Sequence, residues 1–224
     1  EGLSVTPLAR QDARSRARQL VAHNPHARNM LRLLEAYVAG PGLKVTHQPR
    51  CLGEGPSDLA SRADGLWKGF LERNATHYSH REHTRRTWRD GECFLRKFSS
   101  GVWPPGVRFA APERIGSDPS AVAASDGIET LPEDVETPVA YLMLDMQTGR
   151  LAERVSATSM LHTRVGVDSN QTRGLTVFLP VLDVLDCYDQ WMKTELTARK
   201  LQSSIVLWRK VQGSPQQAQA LADS

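Results

Sequence analysis

The sequence predicts a mixed α+β protein, on three observations. Apolar residues recur every three or four positions between Ala13 and Val38, which is the period of an amphipathic helix. Residues 99–170 instead hold short apolar runs separated by turns that contain Pro and Gly, a pattern typical of a small β-rich region. After Gly174 the helical period returns for about 30 residues, which predicts a long helix of roughly 45 Å.

The first helical region is interrupted at Asn24-Pro25. Asn can cap a helix and Pro is tolerated in its first turn, so we expect two consecutive helices, the second ended by Gly40-Pro41-Gly42. A third helix is predicted from Pro56 to Asn74, because Pro56-Ser57-Asp58 is a helix start and the following apolar residues fall on one side.

A fourth helix is predicted from Ser79 to Asp90, ended by Gly91 and followed by a strand over Glu92–Phe98. Within the β-rich region, strands are expected in the apolar runs 107–111 and 139–144. The Ser- and Ala-rich stretch 117–125 is expected to be a surface loop.

The long helix is expected to have Pro180 in its first turn, where a missing N–H costs little. Gly213-Ser214-Pro215 would end it, and the residues after that sequence read as a polar tail without core-forming content.

The charge is close to balanced, with 28 basic and 25 acidic residues and a formal net charge of +3. The chain therefore does not have the composition of a general phosphate-binding protein. Three widely spaced cysteines without a CxxC motif favour a reducing compartment. No apolar run approaches the roughly 20 residues needed to span a bilayer.

Three histidines and a cysteine raise a metal-site hypothesis, since imidazole and thiolate are zinc ligands. They are His77, His80, His83 and Cys93. On a helix the outer histidines diverge, and no second ligand pair follows, so surface histidines are the better interpretation and no metal ligand is predicted.

The acidic pairs Glu133-Asp134 and Asp183-Asp186 could hold magnesium for nuclease chemistry. The first pair lies in a Pro-containing turn, and the second lacks a third acidic partner in register on its helix. Neither a GxSxG elbow nor a phosphate-binding GxxxxGK[ST] loop is present. We therefore predict no catalytic residue, no cofactor and no enzymatic activity.

A basic stretch runs from Arg81 to Lys97 and is diluted by Glu82, Asp90 and Glu92. Most such stretches are solvated helix faces, so a surface or intersubunit role is favoured over contact with DNA.

The block that begins at His162, HTRVGVDSNQTRGLTVFLPVLDVLDCYDQWMKTELTARKLQSSIV, resembles the corresponding stretch of the lambda-like portal proteins of tailed bacteriophages. Six other pieces that are similar to the family precede it in the same order: SRARQLVAHNPHARNMLRLLEAYVAG, GLWKGF, RDGECFLRKF, APERI, DGIET and TPVAYLML. The resemblance covers residues from about Arg14 to Val211 and is to the N-terminal half of these proteins.

The resemblance implies a wing-like α+β region over residues 1–175, a long helix directed to the stem over 176–212, and a polar tail over 213–224. The clip, the returning stem helix and the crown of the family would then be absent, so we expect a fragment, a truncated product or a structure of this portion alone.

Carried over residue by residue, Gln171, Arg173 and Gly174 match the QTRG turn of the family, and Glu113 and Arg114 match its P-x-R-I strand. Gly174 would permit a backbone conformation that is costly for other residues. Arg173 could pin the turn or a neighbouring subunit by paired hydrogen bonds to a carboxylate or to carbonyls.

The resemblance implies a cyclic homo-oligomer, usually of twelve subunits, at one capsid vertex of the virion, assembled in the host cytoplasm. Its partners would be the terminase, the major capsid protein, tail or adaptor proteins and the double-stranded DNA that passes through the channel, without a membrane. Candidates for the DNA side or an intersubunit contact are Lys193, Arg199, Lys200, Arg209 and Lys210. The alternatives are a metal-dependent DNA-processing enzyme and a non-portal scaffold or adaptor protein of the virion.

Overall fold

The computed structural model describes residues 5–47, 56–99, 101, 103–117, 126–204 and 213–222. The chain divides into two compact units, residues 1–182 and 183–224, which are described separately. The helices are α1 (Pro7–His23), α2 (Pro25–Val38), α3 (Pro56–Asn74), α4 (His80–Asp90), α5 (Leu182–Ser204) and α6 (Pro215–Ala222). The strands are β1 (Glu92–Phe98), β2 (Gly106–Ala110), β3 (Ile128–Leu131), β4 (Asp134–Leu144), β5 (Leu151–Ser156) and β6 (Met160–Arg164). The predicted α+β class is confirmed.

The two N-terminal helices meet at Asn24, as predicted. The backbone of Asn24 is extended, its N–H donates to the carbonyl of Leu20 at the end of α1, and its Oδ1 accepts from the N–H of Ala27 in α2. One side chain thus satisfies an otherwise unpaired donor of the second helix. Asn24 is buried, so this junction is a fixed bend.

Local capping signals also set the bounds of α4. Ser79 accepts from the N–H of Glu82 with its hydroxyl, and Gly91 ends the helix with a left-handed φ of 86°. A Cβ at Gly91 would lie 2.3 Å from the carbonyl carbon of Leu175. Gly91 is therefore needed both for its positive φ and for the close passage of the chain after the QTRG turn.

The strands form two three-stranded antiparallel sheets with the orders β2-β1-β6 and β3-β4-β5. One apolar cluster takes residues from both: Phe94 and Met160 from the first sheet, and Tyr141 and Val155 from the second. The rings of Phe94 and Tyr141 meet edge to face at 5.7 Å, which is a favourable aromatic geometry. The two sheets therefore share this part of the core.

In the β-rich region, one prediction differs from the structure and another concerns residues that the structure does not describe. Residues Pro112–Arg114 form one turn of 3₁₀ helix, so the prediction of a strand at the P-x-R-I motif was wrong. Pro112 has no N–H to give to a strand ladder and starts the turn instead, and only Ile115 makes an isolated bridge, to Met143. Of the predicted loop 117–125, residues 118–125 lie outside the described residues.

The long helix α5 begins later than predicted. Pro180 lies in a 3₁₀ turn, Leu179–Val181, and the α-helix starts at Leu182. It is described to Ser204, and residues 205–212 lie outside the described residues. Part of the predicted polar tail is the short helix α6. None of the helices that the structure describes is both long and apolar enough to cross a bilayer.

Candidate functional site

A group of charged side chains joins the QTRG turn to the N-terminal helices inside the first unit. We call it the Arg–Glu cluster. Its members are Arg14, Arg18, Asp90, Glu92, Glu113, His162 and Arg173.

Glu92, at the start of β1, is the centre of the cluster and has no exposed surface. Its Oε1 accepts from Arg14 Nη2 at 2.5 Å and from Arg173 Nη2 at 2.6 Å. Its Oε2 accepts from Arg173 Nε at 2.9 Å, from His162 Nε2 at 3.2 Å and from the backbone N–H of Gly174 at 3.2 Å. A buried carboxylate is tolerated only when it is paired and hydrogen-bonded, and Glu92 has both forms of support.

Arg173 uses every N–H that an arginine possesses. Its Nε and one Nη2 proton go to Glu92, and the other Nη2 proton goes to the carbonyl of Pro112 at 3.1 Å. Nη1 donates to the carbonyls of Ile115 at 2.9 Å and Asp126 at 2.6 Å. Since a guanidinium carries five N–H groups, none is left for a neighbouring subunit, and Arg173 ties β1, the 3₁₀ turn and the start of β3 together.

Gly174 is required for a reason that differs from the expected one. Its φ is not in the left-handed region, so the prediction of a costly backbone conformation was wrong. A Cβ at this position would instead lie 1.9 Å from the carbonyl oxygen of Gly91. The absence of a side chain lets the turn pass directly against the end of α4 and lets its N–H reach Glu92.

A stripe of arginines on α1, spaced four residues apart, was missed by the sequence reasoning. Arg10 pairs with Asp126 at 2.8 Å, Arg14 with Glu92, and Arg18 with Asp90 at 2.9 Å. Residues four apart lie on one helix face. The spacing of the three arginines, next to the apolar residues of α1, could have predicted that they face the interior and pair with carboxylates there. The three ion pairs join α1 to β1, to the end of α4 and to Asp126, which precedes β3.

The surroundings of Glu92 and Asp90 keep both carboxyls ionised. Burial acts to raise the pKa of Glu92, but the charge of Arg173 and the hydrogen bonds from His162 and Arg173 outweigh it, so this pKa lies well below its usual range. Burial also acts to raise the pKa of Asp90, and hydrogen bonds from Arg89 and Arg18 lower it on balance. The cluster therefore carries full charges at neutral pH.

His162 completes the cluster as a neutral group. Its ring stacks on Phe94 with 4.1 Å between the centroids. Burial lowers the pKa of His162 more than the neighbouring Glu92 raises it. The ring therefore donates from Nε2 to Glu92 without a charge of its own.

The other motif positions lie around the cluster. Glu113 accepts from Arg18 at 3.0 Å and from Arg14 at 3.5 Å, whereas Arg114 is exposed. Gln171 is half-buried, and its carbonyl accepts from Arg164 Nη1 at 2.6 Å. The structure thus brings Glu113, Arg173 and Gly174 together, and leaves Arg114 outside.

Three of the five basic candidates on the long helix are described. Lys193 and Lys200 are seven residues apart and share one face of α5, and both are exposed. Arg199 is turned away from that face and pairs with Glu195 at 2.8 Å. Arg209 and Lys210 lie outside the described residues.

The histidine group is distributed over separate contacts. His83 Nε2 lies 2.9 Å from the hydroxyl of Thr163, and His80 Nδ1 lies 3.2 Å from the hydroxyl of Tyr78. Burial raises the pKa of Cys93 to about 12, so this thiol is not available as a thiolate ligand. Within the part of the chain that the structure describes, no three His, Cys, Asp or Glu residues are placed to share a metal ion.

The basic stretch from Arg81 is largely neutralised locally. Arg85 and Arg86 both pair with Glu82, at 2.9 and 2.7 Å. Farther along, Arg89 pairs with Asp90, and Arg96 pairs with Glu153 at 2.6 Å.

Comparison with known proteins gives the family to which this chain belongs. The model of the family described as "Phage portal protein, lambda family" matches residues 4–224. The chain belongs to this family. It is 25% identical over 223 residues to Portal protein B of Escherichia phage lambda. That match covers 86% of this chain, which spans 41% of the length of the lambda protein.

Proposed function

We propose that this chain contributes the wing and the start of the stem helix to a portal subunit, and that copies of the subunit form a ring around a channel for viral DNA. The observation that carries the proposal is the family match over residues 4–224. The ring would lie at one capsid vertex of the virion, admit DNA during packaging and release it during ejection.

The surface of α5 supports a role in packing between subunits. Val184, Tyr188 and Trp191 recur at intervals of four and three residues, and they are 64%, 39% and 58% exposed. The rings of Tyr188 and Trp191 lie 5.9 Å apart. We call these three residues the α5 apolar stripe. Aromatic residues are enriched at protein interfaces, and a ring needs two different complementary patches on each subunit.

The opposite side of α5 supports a weak contact with DNA. At about 100° per residue, Lys193 and Lys200 lie roughly across the helix axis from the α5 apolar stripe. A helix with this arrangement can pack on a neighbour with one side and face a polyanion with the other. Two lysines per subunit, with a formal net charge of only +3 for the chain, would attract DNA without holding it tightly, because affinity rises steeply with each phosphate neutralised.

The remaining partners follow from the proposed location. A portal at a capsid vertex would contact the major capsid protein, dock the terminase during packaging and join tail or adaptor proteins afterwards. We propose a ring of twelve subunits with no catalytic role, in which the Arg–Glu cluster maintains the subunit fold.

Electron microscopy of the protein expressed from its complete gene tests the proposal. We expect rings with a central channel, and class averages give the number of subunits. A homogeneous monomer at concentrations where portal rings form, or cleavage of DNA that depends on divalent metal, would contradict it.

A further inference from the structure

The helices α1, α2 and α4 enclose a groove of about 520 Å³ that the portal assignment does not use. Its charged lining consists of Arg18, Arg28, Arg32, Arg85 and Arg89, with Glu35 as the acidic member. The groove lies entirely within the first compact unit. Arg18, Arg85 and Arg89 are paired with carboxylates behind the lining. Among the described residues, Arg28 and Arg32 have no such ion pair, so they supply most of the positive potential of this concave surface.

The arginines reach the groove because of their spacing on the helices. Arg28 and Arg32 are four residues apart on α2, and Arg85 and Arg89 are four apart on α4. Such pairs lie on one face of a helix. Two helices therefore each turn a pair of guanidinium groups towards the same space, and α1 adds Arg18.

Carboxylates behind the groove hold several of these side chains in place. Asp90 accepts from Nε and Nη2 of Arg89 at 2.8 and 2.9 Å. Glu82 accepts from the same two atoms of Arg85 at 2.9 and 3.0 Å. The guanidinium planes are therefore fixed before any ligand arrives, which lowers the entropic cost of binding.

Hydrogen-bond donors remain unused in the groove. Among the residues that the structure describes, Nη1 of Arg85, Nη1 of Arg89 and the whole guanidinium of Arg32 have no hydrogen-bond partner. Arg85 is partly exposed and Arg32 is exposed. These donors can thus reach an anionic group without breaking an ion pair of the fold.

We propose that this groove binds an acidic segment of a protein partner, whose carboxylates pair with Arg32, Arg85 and Arg89. Bidentate pairing of carboxylates suits the planar guanidinium group. The apolar Val21 and Ala22 also line the groove, and they can contact aliphatic side chains between the carboxylates. Within the described lining no residue is aromatic, so nucleic-acid bases would have no ring on which to stack.

A fluorescence-anisotropy titration of the chain with a labelled peptide of Glu, Ala and Leu tests the groove. The same peptide with Gln in place of Glu is the matched probe, and a single-stranded oligonucleotide is the second anionic probe. Arg32→Ala and Arg85→Ala remove unused donors while leaving Asp90 paired, and Glu82 keeps Arg86 as its partner. Arg150→Ala, in the exposed turn between β4 and β5, is the control variant.

We expect the Glu peptide to bind and the Gln peptide to bind at least tenfold more weakly. Each of the two groove variants should weaken binding about threefold, as for partly exposed ion pairs, and Arg150→Ala should leave it unchanged. Added salt should weaken binding further. Equal binding of the Gln peptide, tighter binding of the oligonucleotide through the same arginines, or no binding of the Glu peptide would each overturn the proposal. None of these results depends on ring formation, so the portal assignment is tested separately.

Discussion

The Arg–Glu cluster and helix α5 both contain charged side chains. Those at the centre of the cluster are buried and hydrogen-bonded within the fold, whereas the lysines of α5 are exposed to solvent. In the cluster, all five N–H groups of Arg173 donate hydrogen bonds. Glu92 accepts from three side chains and a backbone amide and has no exposed surface. On α5, the lysines and the α5 apolar stripe are exposed. The most specific motif of the sequence therefore maintains the fold, whereas the residues that we propose for contact with partners lie exposed on the less distinctive helix.

The largest effect is expected for Arg173→Ala. It would leave Glu92 buried with less compensation and three carbonyls without their donor, so we expect a loss of about 3–5 kcal/mol in the free energy of unfolding. For a protein of this size, thermal unfolding should fall by roughly 10 °C. Arg154→Ala breaks an exposed pair with Glu129 at 2.6 Å and should leave thermal unfolding unchanged. Similar melting temperatures for the two variants would refute a structural role for Arg173.

Gly174→Ala should be the next most disruptive change. The new methyl group would lie 1.9 Å from the carbonyl oxygen of Gly91, so the turn must move away from α4, at a cost of about 1–3 kcal/mol. Gly65, in the exposed interior of α3, has open space where a methyl group would be added, with no neighbouring atom within 4 Å. Gly65→Ala should therefore stabilise the protein by about 0.5–1 kcal/mol. Chemical denaturation should show a lower free energy of unfolding for Gly174→Ala and a higher one for Gly65→Ala.

Acid should weaken the cluster in two stages. His162 has a lowered pKa, so stability present above the unfolded value of about 6.5 declines as pH falls below it. Glu92 and Asp90 also have lowered pKa values, and their contribution declines as pH falls below about 4. Melting temperature should therefore drop gently below neutrality and steeply in acid.

The variant His162→Gln separates these stages, because Gln can still donate to Glu92 but does not titrate. Its melting temperature should fall less than that of the unsubstituted protein between neutrality and about pH 5. The remaining slope there would come from His83, whose pKa is also lowered by burial. The steep fall in stronger acid should be retained. An unchanged profile for this variant would show that His162 does not contribute to the first stage.

The elements that could be predicted are those set by local chemistry. Asn24, Ser79 and Gly91 act on neighbours a few residues away, and the helix bounds that they predicted were confirmed. The Arg–Glu cluster could not be predicted in the same way, because Glu92 meets Arg14 and Arg173 across 78 and 81 residues of sequence. Nothing local to Glu92 shows that it is buried. The family resemblance identified Arg173 and Gly174. Why position 174 must be a glycine became clear only from the structure, where the carbonyl oxygen of Gly91 lies against it.

The contrast between the two regions can be measured in one pair of experiments on Trp191→Ser. Trp191 is 58% exposed, so the substitution should change the free energy of unfolding by no more than about 0.5 kcal/mol. Electron microscopy of the same variant, expressed from the complete gene, should show fewer rings than the unsubstituted protein. Normal rings, or a large fall in melting temperature, would contradict the claim that α5 is an assembly surface separate from the folded core of the Arg–Glu cluster.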